Sequence, residues 1–218
     1  IGKREVWEVN GGYVRKRLNE NFVLYDDANH LPFIPKHEFW IEKGSKPKER
    51  HFFITHLIAR NRAIESGLSA GKAERLGMAA EKQERAKMFH IANAEKTKIP
   101  KKEILKKIHR KIIKKYSGKV SVWLVDGKAV RNYISLDYEA GGHDRVYSFV
   151  PKNEIWIEKA LPARERRFIL LHELHERFLM GGGKSYPRAH MGATIVEDHY
   201  RNRSQKLEMR ISEEIERQ

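Results

Sequence analysis

Pro35-Lys36-His37-Glu38-Phe39-Trp40-Ile41-Glu42-Lys43 returns 116 residues later as Pro151-Lys152-Asn153-Glu154-Ile155-Trp156-Ile157-Glu158-Lys159, with seven of the nine positions identical. The register holds far beyond this stretch. Residues 2–85 align with 118–201 without a gap, and 25 of the 84 pairs are identical. Val6-Trp7 and Val9 face Val122-Trp123 and Val125; Asn10-Gly11 faces Asp126-Gly127; Glu49-Arg50, Phe52 and His56 face Glu165-Arg166, Phe168 and His172. Self-similarity at one fixed offset is the signature of a repeated structural unit, so we read the chain as a tandem duplication.

Each copy reads as strands first and helices second. Asn-Gly and Asp-Gly between alternating apolar residues predict a β-hairpin at 10–11 and at 126–127. In the second copy Tyr133–Tyr138 and Arg145–Val150 read as further strands joined by a turn at Gly141-Gly142. Asn153–Glu158 alternates polar and apolar, as a half-buried strand does. Pro162 then opens a helix over about 163–180, which Gly181-Gly182-Gly183 ends. Ser185, with Pro187 just inside, opens a second helix to about 203. The expected unit is a small antiparallel sheet followed by a helical pair, an α+β fold. The repeats occupy 1–95 and 118–218, with a connector over 96–117. The mixed-charge stretch Leu207–Arg217 reads as a solvated helical end.

Charge is distributed unevenly. The chain has 218 residues, 44 Lys and Arg against 29 Asp and Glu, and a net charge of +15. Between Lys96 and Lys119 eleven basic residues face Glu103 alone, so +10 sits in 24 residues. Ile104, Ile108 and Ile112 recur every fourth residue and predict a helix with one apolar stripe and a basic remainder. Such a helix attracts polyanions with little regard to sequence. Lys101, Lys102, Lys106, Lys107, Arg110, Lys111, Lys114 and Lys115 are the candidate contacts to a nucleic-acid backbone or nucleoprotein. The apolar face lacks Trp, Phe and Met, which argues against a membrane-surface helix. No apolar run reaches the roughly 18 residues a membrane span needs. The opening Ile1-Gly2-Lys3-Arg4-Glu5 lacks an export signal's apolar core, so a cytoplasmic location is expected. With no cysteine in the chain, disulfides, Cys-ligated zinc and Cys nucleophiles are excluded.

The second copy alone carries a histidine–carboxylate cluster, Leu171-His172-Glu173-Leu174-His175-Glu176-Arg177. On a helix His172 and Glu176 share a face and can grip one ion. His190 and Glu197, seven apart on the next helix, share another face, and His143 follows the Gly-Gly pair. The candidate metal ligands are therefore His172, Glu176 and His190, with Glu197 or His143 as a fourth. The offset supplies an internal control. Glu197 meets Glu81, but Glu173, His175, Glu176, His190 and His143 meet Leu57, Ala59, Arg60, Glu74 and Asp27. One copy carries a site that its twin lacks, or else His56 and His172 are simply buried histidines of a shared scaffold. Gly183-Lys184-Ser185 ends like a phosphate loop, but it follows a helix rather than a strand.

The segment resembles the His-Glu-x-x-His helix of zinc metallopeptidases, with Glu176 where the second His belongs. That resemblance implies a zinc cofactor and Glu173 as the general base. The repeated unit as a whole is similar to small proteins encoded in phage and prokaryotic genomes, which implies a phage-associated location as an alternative and no particular activity. Three functions follow as expectations. The leading one is binding of a nucleic-acid backbone through the connector. The second is a zinc-dependent hydrolase in residues 118–203. The third is an assembly subunit, a homo-oligomer packed through the Trp7/Trp123 and Trp40/Trp156 sheet faces.

Overall fold

A computed structural model describes residues 4–45, 47–89 and 100–218. The fold is α+β, and it divides into two compact units, 1–99 with 131–137, and 100–130 with 138–218. The first unit runs β1 (Glu5–Val9), α1 (Gly11–Arg17), β2 (Tyr25–Asp27), β3 (Glu38–Glu42), α2 (Pro47–Glu65) and α3 (Ala70–Phe89). The second begins with α4 (Lys101–Ile108) and β4 (His109–Ile112). It continues with β5 (Ser121–Val125), α5 (Gly127–Tyr133, of which 131–133 count with the first unit), β6 (Gly141–His143), β7 (Glu154–Glu158), α6 (Ala163–Gly181), α7 (Tyr186–Asn202) and α8 (Leu207–Glu216). The 116-residue offset carries β1, α1, β2, β3 and α2 onto β5, α5, β6, β7 and α6 with the same bounds.

The sheets are mixed rather than antiparallel. β1 runs parallel to β3, with Trp7 opposite Trp40, and β5 runs parallel to β7, with Trp123 opposite Trp156. β2 and β6 run antiparallel to β3 and β7, and β4 runs antiparallel to β5. Parallel neighbours need a crossover, so the expected hairpins at 10–11 and 126–127 do not form. Asn10 and Asp126 cap helices instead: their Oδ1 atoms accept from Tyr13 N at 3.1 Å and Ala129 N at 3.2 Å. Gly11 is required there because a Cβ would run into the Glu42 carboxylate and lie 2.8 Å from Arg15 Nη1. Those two side chains form a buried ion pair of 3.0 Å.

Three more expectations change. Tyr133–Tyr138 and Arg145–Val150 are not strands; they run as helix end and turns, with Tyr138 and Val150 buried from loops. Gly141-Gly142, expected as a turn, lies in β6 because only residues without a side chain fit beneath the Glu173 carboxylate and the Tyr147 ring. The basic connector is not one helix, and its residues 96–99 lie outside the described residues. Helix α4 stops at Ile108, and His109–Ile112 joins the edge of the second sheet, where Ile112 faces Trp123. Burial of Ile108 and cover for an exposed strand edge outweigh helical periodicity, and the β-branched pair Ile112-Ile113 favours the extended form.

The second core gathers Val122, Leu124, Ile155 and Ile157 from the sheet with Phe168, Leu171 and Leu174 from α6. Helix α8 is a packed element rather than a solvated end: Leu207 and Ile211 join this core, and buried Glu214 accepts from His175 Nδ1 at 2.7 Å. Trp156 is fully buried and Trp40 packs on the Phe22 cluster, whereas Trp7 is 52% exposed. Because Gly11 seats α1 against a buried ion pair, Gly11→Ala is expected to destabilise the chain by about 1–3 kcal/mol, read from urea denaturation midpoints.

Candidate metal centre

Helices α6 and α7 form a pair whose facing sides are polar where polar residues can be fully partnered. Arg201 anchors the second unit. Its Nη1 donates to Glu165 at 3.0 Å, its Nε and Nη2 donate to Glu197 Oε1 at 2.9 and 2.6 Å, and it stacks over Phe168. Glu197 Oε2 then takes His172 Nδ1 at 2.9 Å. An ionised carboxylate accepts only, so Nδ1 carries a proton and Nε2 faces the opposite way.

What lies on that side is a triangle of atoms able to ligate a metal. His172 Nε2 stands 3.1 Å from His190 Nδ1 and 3.6 Å from Glu176 Oε2, and His190 Nδ1 stands 2.8 Å from that same oxygen. A tetrahedral ion with N and O ligands at about 2.0–2.1 Å has ligand–ligand edges of about 3.3–3.4 Å. The three edges bracket that value. His172, Glu176 and His190 are also among the residue groups whose geometry suits a metal ion.

The remaining predicted ligands take other places. Glu197 supports His172 from behind and does not face the triangle. His143 is fully buried, and its Nδ1 accepts from the Arg145 backbone N–H at 3.2 Å. In the tautomer this bond selects, Nε2 donates to Glu176 Oε1 at 3.1 Å, and His143, Glu173 and Glu176 form a second group whose potential ligand atoms lie within 4.8 Å of one another. His175 points away, to Glu214. Glu173 is buried beside the cluster, with its Oε1 only 2.6 Å from where a Gly141 Cβ would lie. His190 is half-exposed, its ring 5.5 Å from that of Tyr186, and marks the side on which the cluster meets solvent.

The electrostatics follow from this crowding. Burial opposes charge on His172, but the carboxylates of Glu176 and Glu197 outweigh it and raise the imidazole to about 10. Burial pushes Glu173 well above the carboxylate range, with His172 pulling the other way. Burial would also raise Glu176, but hydrogen bonds from His143, His172 and His190 hold it far below that range. Three carboxylates and three imidazoles thus share a cluster in which, among the described residues, the hydrogen-bonded guanidinium is that of Arg201.

The first unit repeats the support and fills the centre differently. Glu49 accepts from Arg85 at 3.1 Å, Arg85 donates to Glu81 at 2.7 Å, and Glu81 holds His56 Nδ1 at 3.1 Å. Beyond His56 Nε2 lies Glu74 at 3.1 Å, and there Arg60 bridges Glu74 at 3.2 Å to Asp26 and Asp27 at 3.0 Å each. Arg60 occupies the position of Glu176 and Glu74 that of His190. The Arg60 guanidinium is the counter-charge of the first centre, and among the described residues none takes that position in the second. Tyr25, which donates to Glu81, corresponds to Gly141, and Leu57 corresponds to Glu173; the paired exchange makes room for the extra carboxylate. The sequence already held this signal in the first glycine of Gly141-Gly142-His143.

No family model, curated protein or solved structure matches the chain.

The first unit offers a pH test free of any metal. Burial lowers His56, but hydrogen bonds to Glu74 and Glu81 outweigh it and raise the imidazole from 6.5 to about 8. The protonated ring therefore stabilises the fold below about pH 6.5, and that contribution is lost as pH rises through about 8. The stability gap between the parent and His56→Gln should narrow by about 2 kcal/mol from pH 6 to 9, measured by denaturant unfolding.

Proposed function

We propose that the second unit is a metal-dependent hydrolase, with His172, Glu176 and His190 holding one divalent ion, zinc by its ligand set. The observation that carries this reading is the triangle of His172 Nε2, Glu176 Oε2 and His190 Nδ1, each edge between 2.8 and 3.6 Å. Two imidazoles and one carboxylate form a recurrent catalytic zinc set, and such an ion lowers the pKa of a bound water. The chain's own residues supply the rest. Glu197 fixes the His172 tautomer, Arg201 and Glu165 fix Glu197, and His143 turns the Glu176 carboxylate. Glu173, which directly follows the first histidine as in zinc metallopeptidases and is buried beside the cluster, would be the general base toward a metal-bound water. The first unit serves as scaffold, a duplicate whose centre is closed by Arg60.

A second reading rests on the connector. Lys101, Lys102, Lys106, Lys107, Arg110, Lys111, Lys114 and Lys115 are all exposed. Arg110, Lys115 and Lys106 have acidic partners, Asp126, Glu208 and Glu103, while Lys101, Lys102, Lys111 and Lys114 make no ion pair among the described residues. This charge supports binding of a nucleic-acid backbone, alongside the hydrolase or as its means of reaching a substrate. No helix among the described residues is long and apolar enough to cross a membrane.

Purified protein should contain about one zinc per chain by elemental analysis. His172→Ala should lose it, and Glu197→Gln should weaken it by about 10–100-fold. Glu173→Gln should keep the zinc and lose hydrolysis of an activated ester by about 10²–10⁴-fold. Absence of metal from the parent chain after zinc dialysis contradicts the reading. For the connector, affinity for a mixed-sequence duplex should fall with salt by about 0.9 log per log for each phosphate contacted, and by less once Lys101, Lys102, Lys106 and Lys107 are Gln.

A further inference from the structure

The Glu176 carboxylate faces two ways. Its Oε2 meets His190 Nδ1 at 2.8 Å and His172 Nε2 at 3.6 Å, while its Oε1 meets His143 Nε2 at 3.1 Å. On the His143 side stands Glu173, and the possible ligand atoms of His143, Glu173 and Glu176 lie within 4.8 Å of one another. All three residues are buried, whereas the triangle opens to solvent at His190. The Glu173 carboxylate accepts no hydrogen bond and joins no ion pair among the described residues; it feels only the charges of His172, Glu176 and Glu197.

The first unit shows that this position is two-sided by construction. There Arg60, the counterpart of Glu176, bridges Glu74 on one side at 3.2 Å to Asp26 and Asp27 on the other at 3.0 Å each. Asp27 is the counterpart of His143, and Glu74 that of His190. A cation between carboxylates has thus become a carboxylate between imidazoles, with both sides changed together. Glu173 is an addition on one side only: its counterpart is Leu57, and Gly141 in place of Tyr25 admits it. A buried carboxylate without a partner is costly, and a bound cation offsets that cost.

We propose that His143, Glu173 and Glu176 form an inner site for a second divalent ion, bridged to the first by the Glu176 carboxylate, and that filling it switches the centre off. The inner site shares Glu176 with the triangle and so rests on the hydrolase reading. It is the weaker of the two. His143 Nδ1 accepts from the Arg145 N–H at 3.2 Å, so Nε2 can take an ion only when the ring proton moves to Nδ1 and that bond is given up. One lost hydrogen bond corresponds to about a tenfold loss of affinity. The triangle therefore fills first, and the chain is active with one ion. A second ion holds the Glu173 carboxylate and withdraws it as base, so zinc in excess inhibits.

The test is a zinc titration of the full chain by equilibrium dialysis, paired with anomalous maps at one equivalent and in excess. Two binding steps are expected, the second at about tenfold higher free zinc. In excess zinc a second peak should stand beside His143 and Glu173, about 3.5–4 Å from the first. Hydrolysis of an activated ester should rise with the first step and fall by about 10²-fold with the second. His143→Gln, which keeps an N–H for Glu176, and Glu173→Leu, which installs the residue of the first unit, should each bind one ion. A single ion in excess zinc, a second ion that persists in both variants, or a second ion that leaves hydrolysis unchanged overturns the inner site and leaves the hydrolase reading intact. No ion at either concentration overturns both.

Discussion

A buried relay of alternating charges is the constraint on which both units depend. In each, a glutamate at the start of one long helix holds an arginine of the next, that arginine holds a second glutamate, and the glutamate holds a histidine back on the first helix: Glu49, Arg85, Glu81 and His56; Glu165, Arg201, Glu197 and His172. Leaving one member of a buried ion pair alone costs about 3–5 kcal/mol, so the four residues stand or fall together. The relay fixes how the helices pair. It also fixes one ring nitrogen of each histidine and so aims the other at the neighbouring helix.

What the histidine is aimed at then decides the chemistry. In the first unit Arg60 answers three carboxylates with a permanent positive charge. In the second unit the arginine is replaced by Glu176 and its partner Glu74 by His190, which turns an ion-pair network into a set of ligand atoms. The same scaffold thus carries one centre with a guanidinium built in and one where, among the described residues, Glu176 and His190 stand in place of that guanidinium and its partner. Protons on His172 and Glu173 offset the carboxylates in the metal-free chain, so metal binding on this account releases protons and strengthens with rising pH.

Much of this was legible in the sequence. Identical residues at the 116 offset marked the relay, since Glu49, His56, Glu81 and Arg85 are all among the retained positions. The helices of the second unit were legible too, because Pro162, the glycine run and Ser185 mark their ends by local chemistry. The hairpins were misread because Asn-Gly and Asp-Gly suit a helix cap as well as a turn, and only the unseen contact of Gly11 with Glu42 separates the two. The connector was misread because an every-fourth isoleucine is compatible with a helix until a strand edge competes for it. Sequence shows which residues can bind a metal, but not that the Nε2 of His143 faces the Glu176 carboxylate.

The most direct test is an anomalous difference map at the zinc edge from crystals of the full chain grown with one equivalent of zinc. One peak is predicted, about 2.0–2.1 Å from His172 Nε2, His190 Nδ1 and Glu176 Oε2, and none at His56. A chain without a peak at the triangle, or with a peak of equal height beside His56 and Arg60, contradicts the account.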